Sequence, residues 1–294
     1  MSDVNPVQDP SWTLLSVLQA AQPWLERRGV PSPRRDAEEL LAHCLSCSRL
    51  DLYLDHDRPL NPEERASFRE LLRRRGMREP LQYLLGTQPV RMLDLKVDSR
   101  ALIPRTETEE VVEYLLQAER ALGPLPGRRM LDIGTGSGSI ALSLLKELPG
   151  SRVTALDRSA DALALCHENA QRLGLLEGLE LLKLDILEDV PEGSWQVVVS
   201  NPPYVSSLER GQLQPELSHE PEMALYAEDP AGLQFYRRIA ELLPRLLVPG
   251  GRCCLEIGHG QGAAILGLFK EVLVESMIIN DLAGRERIFF GRRS

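Results

Sequence analysis

Apolar positions change their spacing along the chain, and each texture predicts a different kind of structure. Residues 11–85 carry helix periodicity only. Leu14, Leu15, Leu18, Ala21 and Leu25 fall on one helical face, with Ser11 as its candidate cap and Pro23 expected to break or kink it. Ser32 followed by Pro33 starts a second helix, whose stripe is Ala37, Leu40, Leu41, Cys44 and Leu45. Asn61, Pro62 and Glu64 open a third, closed near Gly76. A small all-α bundle over 1–85 is expected.

Residues 86–108 turn extended. "VRMLDLKVD" alternates as a strand pair would, Pro104 is expected to stop it, and the segment reads as a hairpin-like linker. Over 109–294 the short apolar runs "RRMLDIG", "RVTALD", "LELLKLD", "WQVVVS" and "GRCCLEIG" mostly alternate with amphipathic segments near 138–148, 159–173 and 230–247. Such alternation predicts an α/β domain, a doubly wound and mostly parallel sheet with helices on both faces. No helix separates "EVLVESMII" from "ERIFFGRR", so an antiparallel C-terminal pair is expected.

Composition narrows the function. A chain of 294 residues with 43% hydrophobic content can bury a sizeable core. A formal charge of −9 disfavours wrapping of a nucleic-acid backbone. Five scattered cysteines suit reduced thiols in the cytoplasm. No apolar run approaches the length of a membrane span, and no coiled-coil heptads argue against a monomer.

The first chemical signal is "LDIGTGSGSIALSL", 131–144. Gly134, Thr135, Gly136, Ser137 and Gly138 fill the turn between a strand and a helix, where open α/β sheets bind ligands and glycine lets the backbone approach closely. The spacing G-x-G-x-G differs from the dinucleotide G-x-G-x-x-G. Asp157, at the end of the next strand, can accept hydrogen bonds from both ribose hydroxyls and repels a 2′-phosphate. S-adenosylmethionine or NAD fits that pair of features. The competing role for Asp157 is as an N-terminal cap, since Ser159 and Asp161 follow.

The second signal is "SNPPYV", 200–205, at the end of a valine-rich run. The Asn201 carbonyl and the Pro202 carbonyl are two acceptors for one NH2 group. Pro202 and Pro203 fix the loop before binding, and Tyr204 can lie over a flat substrate. These groups would hold a planar amino nitrogen by both hydrogens, turned toward a methyl donor.

The glycine turn, Asp157 and "NPPY" together resemble class I S-adenosylmethionine-dependent methyltransferases that modify planar NH2 groups. "LIPRTETEEVV" (102–112), "LQYLLG" (81–86) and "HEPEMAL" (219–225) are similar to segments of the peptide chain release factor glutamine methyltransferases, the HemK/PrmC family. The resemblance runs over 11–291. It implies N5-methylation of the glutamine in the Gly-Gly-Gln motif of class 1 release factors, with the helical bundle recognising the partner. It also implies that Gly134 to Gly138 contact S-adenosylmethionine, Asp157 its ribose and Ile186 its adenine. Asn201, Pro202, Pro203 and Tyr204 would hold the glutamine amide, and Arg105, Glu107 and Glu109 would line the nearby domain junction. Departures are Thr106 where the family usually has proline, Ile186 where an aromatic is frequent, and "TQPVRMLDL" without aromatics.

Other features carry less. Cys44 and Cys47 with His43 and His56 have metal-like spacing, but the stripe puts Cys44 in a helical core and no second pair follows, so no metal is expected. Cys166 lies in a helix with nothing to make it a covalent nucleophile, Cys253 and Cys254 read as small apolar residues of a buried strand, and His167 and His259 read as surface or loop residues. Arg69, Arg73, Arg74, Arg75 and Arg78 read as complementing a helix C-terminus and its solvent face, with partner docking as the alternative. A nucleic-acid amino methyltransferase (adenine N6 or guanine N2) and a non-catalytic binding module are the alternatives in function.

Overall fold

The computed structural model describes residues 12–123, 127–211 and 213–294, so the candidate cap Ser11 lies outside the described residues. The chain divides into two compact units, Met1–Gly86 and Thr87–Ser294.

The first unit contains α1 (Leu14–Glu26), α2 (Pro33–Leu45), α3 (Arg49–Leu54), α4 (Pro62–Gly76) and α5 (Leu81–Leu85). Thr13 caps α1. Its hydroxyl accepts from Ser16 N at 3.3 Å while Ser16 Oγ accepts from Thr13 N at 2.8 Å, a reciprocal box that satisfies two orphan N–H groups. Pro23 does not break α1. It sits exposed in the last turn, where the one carbonyl left without its N–H partner can turn to water. The buried face is Leu14, Val17, Ala21 and Leu25, whereas Leu15 is 41% exposed and departs from the expected stripe. Asn61 and Glu64 cap α4 as the sequence predicts, at 2.8 and 3.0 Å.

Leu25, Leu40 and Leu41 are fully buried in the core of this unit, each contributing about 1.5–3 kcal/mol by leaving water. Cys44 and Cys47 pack at its margin. Arg75 departs from the expected solvent face: it is 4% exposed and its Nε donates to Asp36 Oδ2 at 2.7 Å. Arg73 and Arg74 do lie in the last turn of α4, paired with Glu70 and Glu79.

The second unit opens with an antiparallel hairpin, β1 (Thr87–Val90) and β2 (Leu93–Lys96), turned through Arg91 at φ 51°. The strand therefore ends well before Pro104. Asn169 fastens it: Oδ1 accepts from Lys96 N at 2.7 Å, and Nδ2 donates to the carbonyls of Lys96 and Ser137 at 3.0 Å each.

There follow α6 (Thr106–Arg120), β3 (Arg129–Ile133), α7 (Ser139–Glu147), β4 (Arg152–Asp157), α8 (Ala160–Leu173), β5 (Leu179–Lys183) and β6 (Trp195–Ser200). The two-residue strands β7 (Val205–Ser206) and β8 (Tyr226–Ala227) flank α9 (Glu222–Leu225). Then come α10 (Gln234–Leu246), β9 (Leu247–Glu256), α11 (Gly262–Phe269), β10 (Val274–Asn280) and β11 (Glu286–Arg292).

The seven-stranded sheet has the order β10-β11-β9-β6-β3-β4-β5. Its β5, β4, β3, β6 and β9 are parallel neighbours, and β11 lies antiparallel between β9 and β10. Side chains alternate between two cores: Met130 and Cys254 face the helices α6, α7 and α8, while Leu131 and Cys253 face α10 and α11. The chain leaves β3 toward β4 on one side and later returns on the other through β6. The reversal therefore falls between β3 and β6, the position where doubly wound sheets bind ligands. Ile133 is in register with Ser200, and Ser200 Oγ donates to Ile133 O at 2.6 Å, so Gly134 and Asn201 emerge side by side.

Candidate functional site

At this reversal a cavity is lined by the glycine turn, the end of β4, the "NPP" loop, Ile186, Phe235 and the segment from Arg100 to Thr108. Gly134 and Gly136 take φ of 75° and 56°. A side chain on Gly134 would project into open space, so the bare backbone faces the cavity and leaves room for a ligand against it. Thr135 and Ser137 line the same wall. Gly138 does not. At φ 87° its missing Cβ is where Cys166 Sγ approaches to 2.7 Å, so it serves the packing of α7 on α8.

Asp157 is bonded to the turn. Its Oδ2 accepts from Gly136 N at 3.0 Å and its Oδ1 from Ser159 N at 2.9 Å. The cap of α8 is Ser159, whose Oγ accepts from Ala162 N. The Arg158 N–H is also drawn to this carboxylate, which has four acceptor sites and so keeps one for the cavity. Burial pushes the Asp157 carboxyl upward, and the N–H groups of Ser159 and Gly136 oppose it. Ile186 is buried in the lining, with its carbonyl held by Arg238 Nε at 2.9 Å. A glycine cradle, an acid with a spare acceptor site and an apolar wall fit an adenosine-bearing methyl donor.

Asn201, Pro202 and Pro203 line the cavity opposite the turn. Asn201 Nδ2 donates to Thr108 Oγ1 at 3.0 Å, which leaves Oδ1 as the acceptor available to a ligand. Tyr204 is not in the lining. Its ring packs with the apolar cluster around Tyr236, and its hydroxyl donates to Glu256 Oε1 at 3.3 Å, because the amphipathic phenol finds both an apolar wall and an acceptor there. Burial raises the Tyr204 phenol well above its ordinary value, with the nearby Glu256 charge adding to the effect.

Arg105 lines the cavity and is paired with Glu220, whereas Glu109 turns to the hairpin and accepts from Arg91 N at 2.9 Å. Glu107 lies outside the lining but its charge reaches Glu256 and Tyr204. Thr106 is the first residue of α6, a position that proline would also suit. His167 and His259 are exposed, and Cys166, Cys253 and Cys254 are buried.

Sequence reasoning missed four residues: Thr108, Glu256, Glu220 and Asp132. Thr108 Oγ1 donates to Glu256 Oε2 at 2.6 Å. Burial pushes the Glu256 carboxyl up to about 7 against the pull of the Thr108 hydroxyl and the Arg287 guanidinium. Asp132, beneath the turn, is likewise pushed up to about 7 by burial, opposed by the Thr135 hydroxyl at 2.7 Å and by the Ala141 backbone N–H. Of these, Asp132 and Glu256 carry a signal in the sequence, as acids interrupting the apolar runs "RRMLDIG" and "GRCCLEIG".

The chain is similar to known proteins over nearly its whole length. A profile described as PrmC N-terminal domain matches residues 16–86, and one described as methyltransferase small domain matches 111–225. The chain is 39% identical to a protein named release factor glutamine methyltransferase from Geobacter sulfurreducens, over 96% of this chain and 97% of that protein. It is 40% identical to one of the same name from Chlorobaculum tepidum, over 87% and 89%. Among solved structures, the hMettl16 catalytic domain in complex with MAT2A 3'UTR hairpin 6 superposes with a TM-score of 0.50 at 18% identity, over 69% of this chain and 75% of that one, a likeness of fold. With relatives at this level of identity over nearly their whole length, the chain belongs to the release factor glutamine methyltransferase family.

Proposed function

We propose that the protein transfers a methyl group from S-adenosylmethionine to the side-chain N5 of the glutamine in the Gly-Gly-Gln motif of class 1 peptide chain release factors. One observation carries this: Asn201 and Pro202 stand beside the glycine turn at the reversal of the sheet, lining one cavity with it. When bound, the cofactor supplies an electrophilic sulfonium methyl. Gly134 to Ser137 take its backbone-facing side, Asp157 its ribose hydroxyls and Ile186 its adenine.

An amide nitrogen is a weak nucleophile because its lone pair is delocalised. Asn201 Oδ1 and the Pro202 carbonyl accept its two hydrogens, which orients the nitrogen and places negative potential where positive charge develops. Once the methyl group is transferred, one of those two protons, now strongly acidic, leaves to solvent to give the neutral N-methyl amide. Pro203 stiffens the loop, and Tyr204 supports it from behind. Ile133, Leu156 and Phe235 keep the reacting centre apolar. Arg105 holds the lining segment from Arg100 to Thr108, a strap along the cavity wall, and Glu107 and Glu109 act on its supports.

The helical region 1–85 recognises the release factor, 86–108 links it, and 109–294 carries the transfer. The protein works as a cytoplasmic monomer without nucleic acid as substrate. Support comes from the −9 charge, from free cysteines, and from the lack, among the described residues, of any helix long and apolar enough to cross a membrane.

Mass spectrometry of a release factor incubated with enzyme and labelled methyl donor tests the assignment, with one methyl group on the motif glutamine expected. Asn201→Ala should reduce that label about 100-fold or more, by loss of a positioned acceptor. Label on DNA or rRNA in place of the factor would favour the nucleic-acid alternative, and unchanged transfer by Asn201→Ala would mean the loop is idle. Removal of residues 1–80 with undiminished activity on whole release factor would count against the recognition role.

A further inference from the structure

Glu256 lies two hydrogen bonds from the Asn201 amide, and the polarity of those bonds is not symmetrical. Glu256 ends β9, Thr108 sits in the first turn of α6 and Asn201 follows β6, so three separate elements converge on one chain of contacts. Asn201 Nδ2 reaches Thr108 Oγ1 at 3.0 Å, and Thr108 Oγ1 reaches Glu256 Oε2 at 2.6 Å. All three groups are in the second unit, and Thr108 and Glu256 are 4% and 1% exposed.

We infer that Glu256, acting through the Thr108 hydroxyl, is a positioning residue that fixes which end of the Asn201 amide faces the acceptor nitrogen. This rests on the amide-gripping role proposed above for Asn201. A threonine hydroxyl has one proton to give. An ionised Glu256 can only accept, so it takes that proton. Thr108 is then left with lone pairs alone, and Asn201 must present Nδ2 to it and Oδ1 to the cavity. A protonated Glu256 reverses the order. It donates to Thr108, which turns its own proton toward Asn201, and the amide swings end for end to accept with Oδ1. The cavity then meets an NH2 group, which opposes the N–H groups of the incoming glutamine amide instead of accepting them.

The surroundings place this switch in the neutral range. Burial drives the Glu256 carboxyl to about 7, with Glu107 of α6 adding to the rise and Arg287 of β11 opposing it. Tyr204, in the loop after β6, donates to Glu256 Oε1 at 3.3 Å, and Tyr236 of α10 donates to the Glu256 carbonyl at 2.8 Å. Both carboxylate oxygens therefore already accept from hydroxyls, one from Thr108 and one from Tyr204.

Two readouts on the full-length enzyme test the inference. The first needs no release factor: the side-chain amide resonances of Asn201 are followed by NMR from about pH 5.5 to 8.5, the range that brackets a carboxyl titrating near 7. A midpoint near 7 that depends on Glu256 is expected in the wild type and in Thr108→Ser and is lost in Glu256→Gln and Thr108→Val, whereas any response to Asp132, also near 7, persists in all of them. The second is methyl transfer to a release factor, where kcat should rise through the same midpoint. There Thr108→Val should lose about 10- to 100-fold in kcat with unchanged KM for S-adenosylmethionine, by misplacement of the gripping amide, and Thr108→Ser should retain the rate. Should Glu256→Gln not fold, the pair Thr108→Val and Thr108→Ser decides alone. Wild-type Asn201 resonances that do not titrate, or Thr108→Val turning over at the wild-type rate, overturn the inference even if the factor is methylated. A clear midpoint with no methylation of the factor leaves the amide switch standing and removes the substrate assignment instead.

Discussion

Arg105 Nη2 donates to Glu220 Oε1 at 2.5 Å across 115 residues of chain, and the other oxygen of the same carboxylate accepts from Ile103 N at 2.9 Å. One buried acid therefore pins the strap that lines the cavity. Arg105→Ala leaves a carboxylate that is 1% exposed and, among the described residues, keeps the Ile103 N–H as its partner. The expected loss is about 3 kcal/mol, the low end for breaking a buried pair because the guanidinium is one third exposed. Glu220→Ala orphans the buried Ile103 N–H and should cost about 1–3 kcal/mol. Urea denaturation measures both, and two variants as stable as the parent would show that the strap is not pinned this way.

The glycines of the turn should separate by role. Gly138→Ala forces a Cβ to within 2.7 Å of Cys166 Sγ at φ 87°, so thermal stability should fall by about 2–4 kcal/mol from clash and backbone strain together. Gly134→Ala meets no atom within 4 Å. It should cost only the strain, about 1 kcal/mol, but weaken S-adenosylmethionine binding in calorimetric titration. Equal affinity in the Gly134 variant and its parent would place the cofactor elsewhere.

Stability should depend on pH through Glu256 in a definite direction. Its carboxyl is held near 7 in the fold against an ordinary value of 4.5, so the native state binds the extra proton between those values. Its contribution is fully present below about 4.5 and is lost as pH rises through 7. Glu256→Gln removes that dependence, and relative to the parent it should gain on the order of 3 kcal/mol between pH 5 and pH 8. Denaturant midpoints of the two proteins, compared at both pH values, check it; parallel curves would rule it out.

In the helical unit, Asp36→Ala removes the carboxylate that Arg75 Nε holds at 2.7 Å. A loss of about 3–5 kcal/mol is expected, whereas Asp36→Leu combined with Arg75→Met should recover most of it by replacing the ion pair with apolar contact. Chemical denaturation of the two variants decides; a milder single than double variant would contradict the buried-pair account.

The strands and the glycine turn were legible in the sequence because a buried parallel strand leaves a dense apolar run and a turn against a ligand needs glycine. The short helices α3 and α5 were not, since six and five residues span too little for a periodic stripe; the box of Ser48 and Asp51 was the available signal. The helices α6 and α11 also went unanticipated. Arg75 was misplaced because a run of arginines looks solvated until its partner, 39 residues away, is known. The direction of Tyr204 is open in the sequence for a related reason: a phenol beside a substrate loop can face the ligand or brace the loop, and its hydrogen bond here is to Glu256, 52 residues on. Thr108 and Glu256 are 148 residues apart, and no local pattern couples them.

The position of β11 has a consequence for how the protein is made. Synthesis delivers it after every other strand of the sheet, yet it belongs between β9 and β10. Until it arrives, both of those neighbours present unsatisfied backbone N–H and C=O rows of the kind that recruit foreign strands. A nascent chain halted before Glu286 is therefore sticky along two seams, and the final hairpin acts as the stitch that closes them.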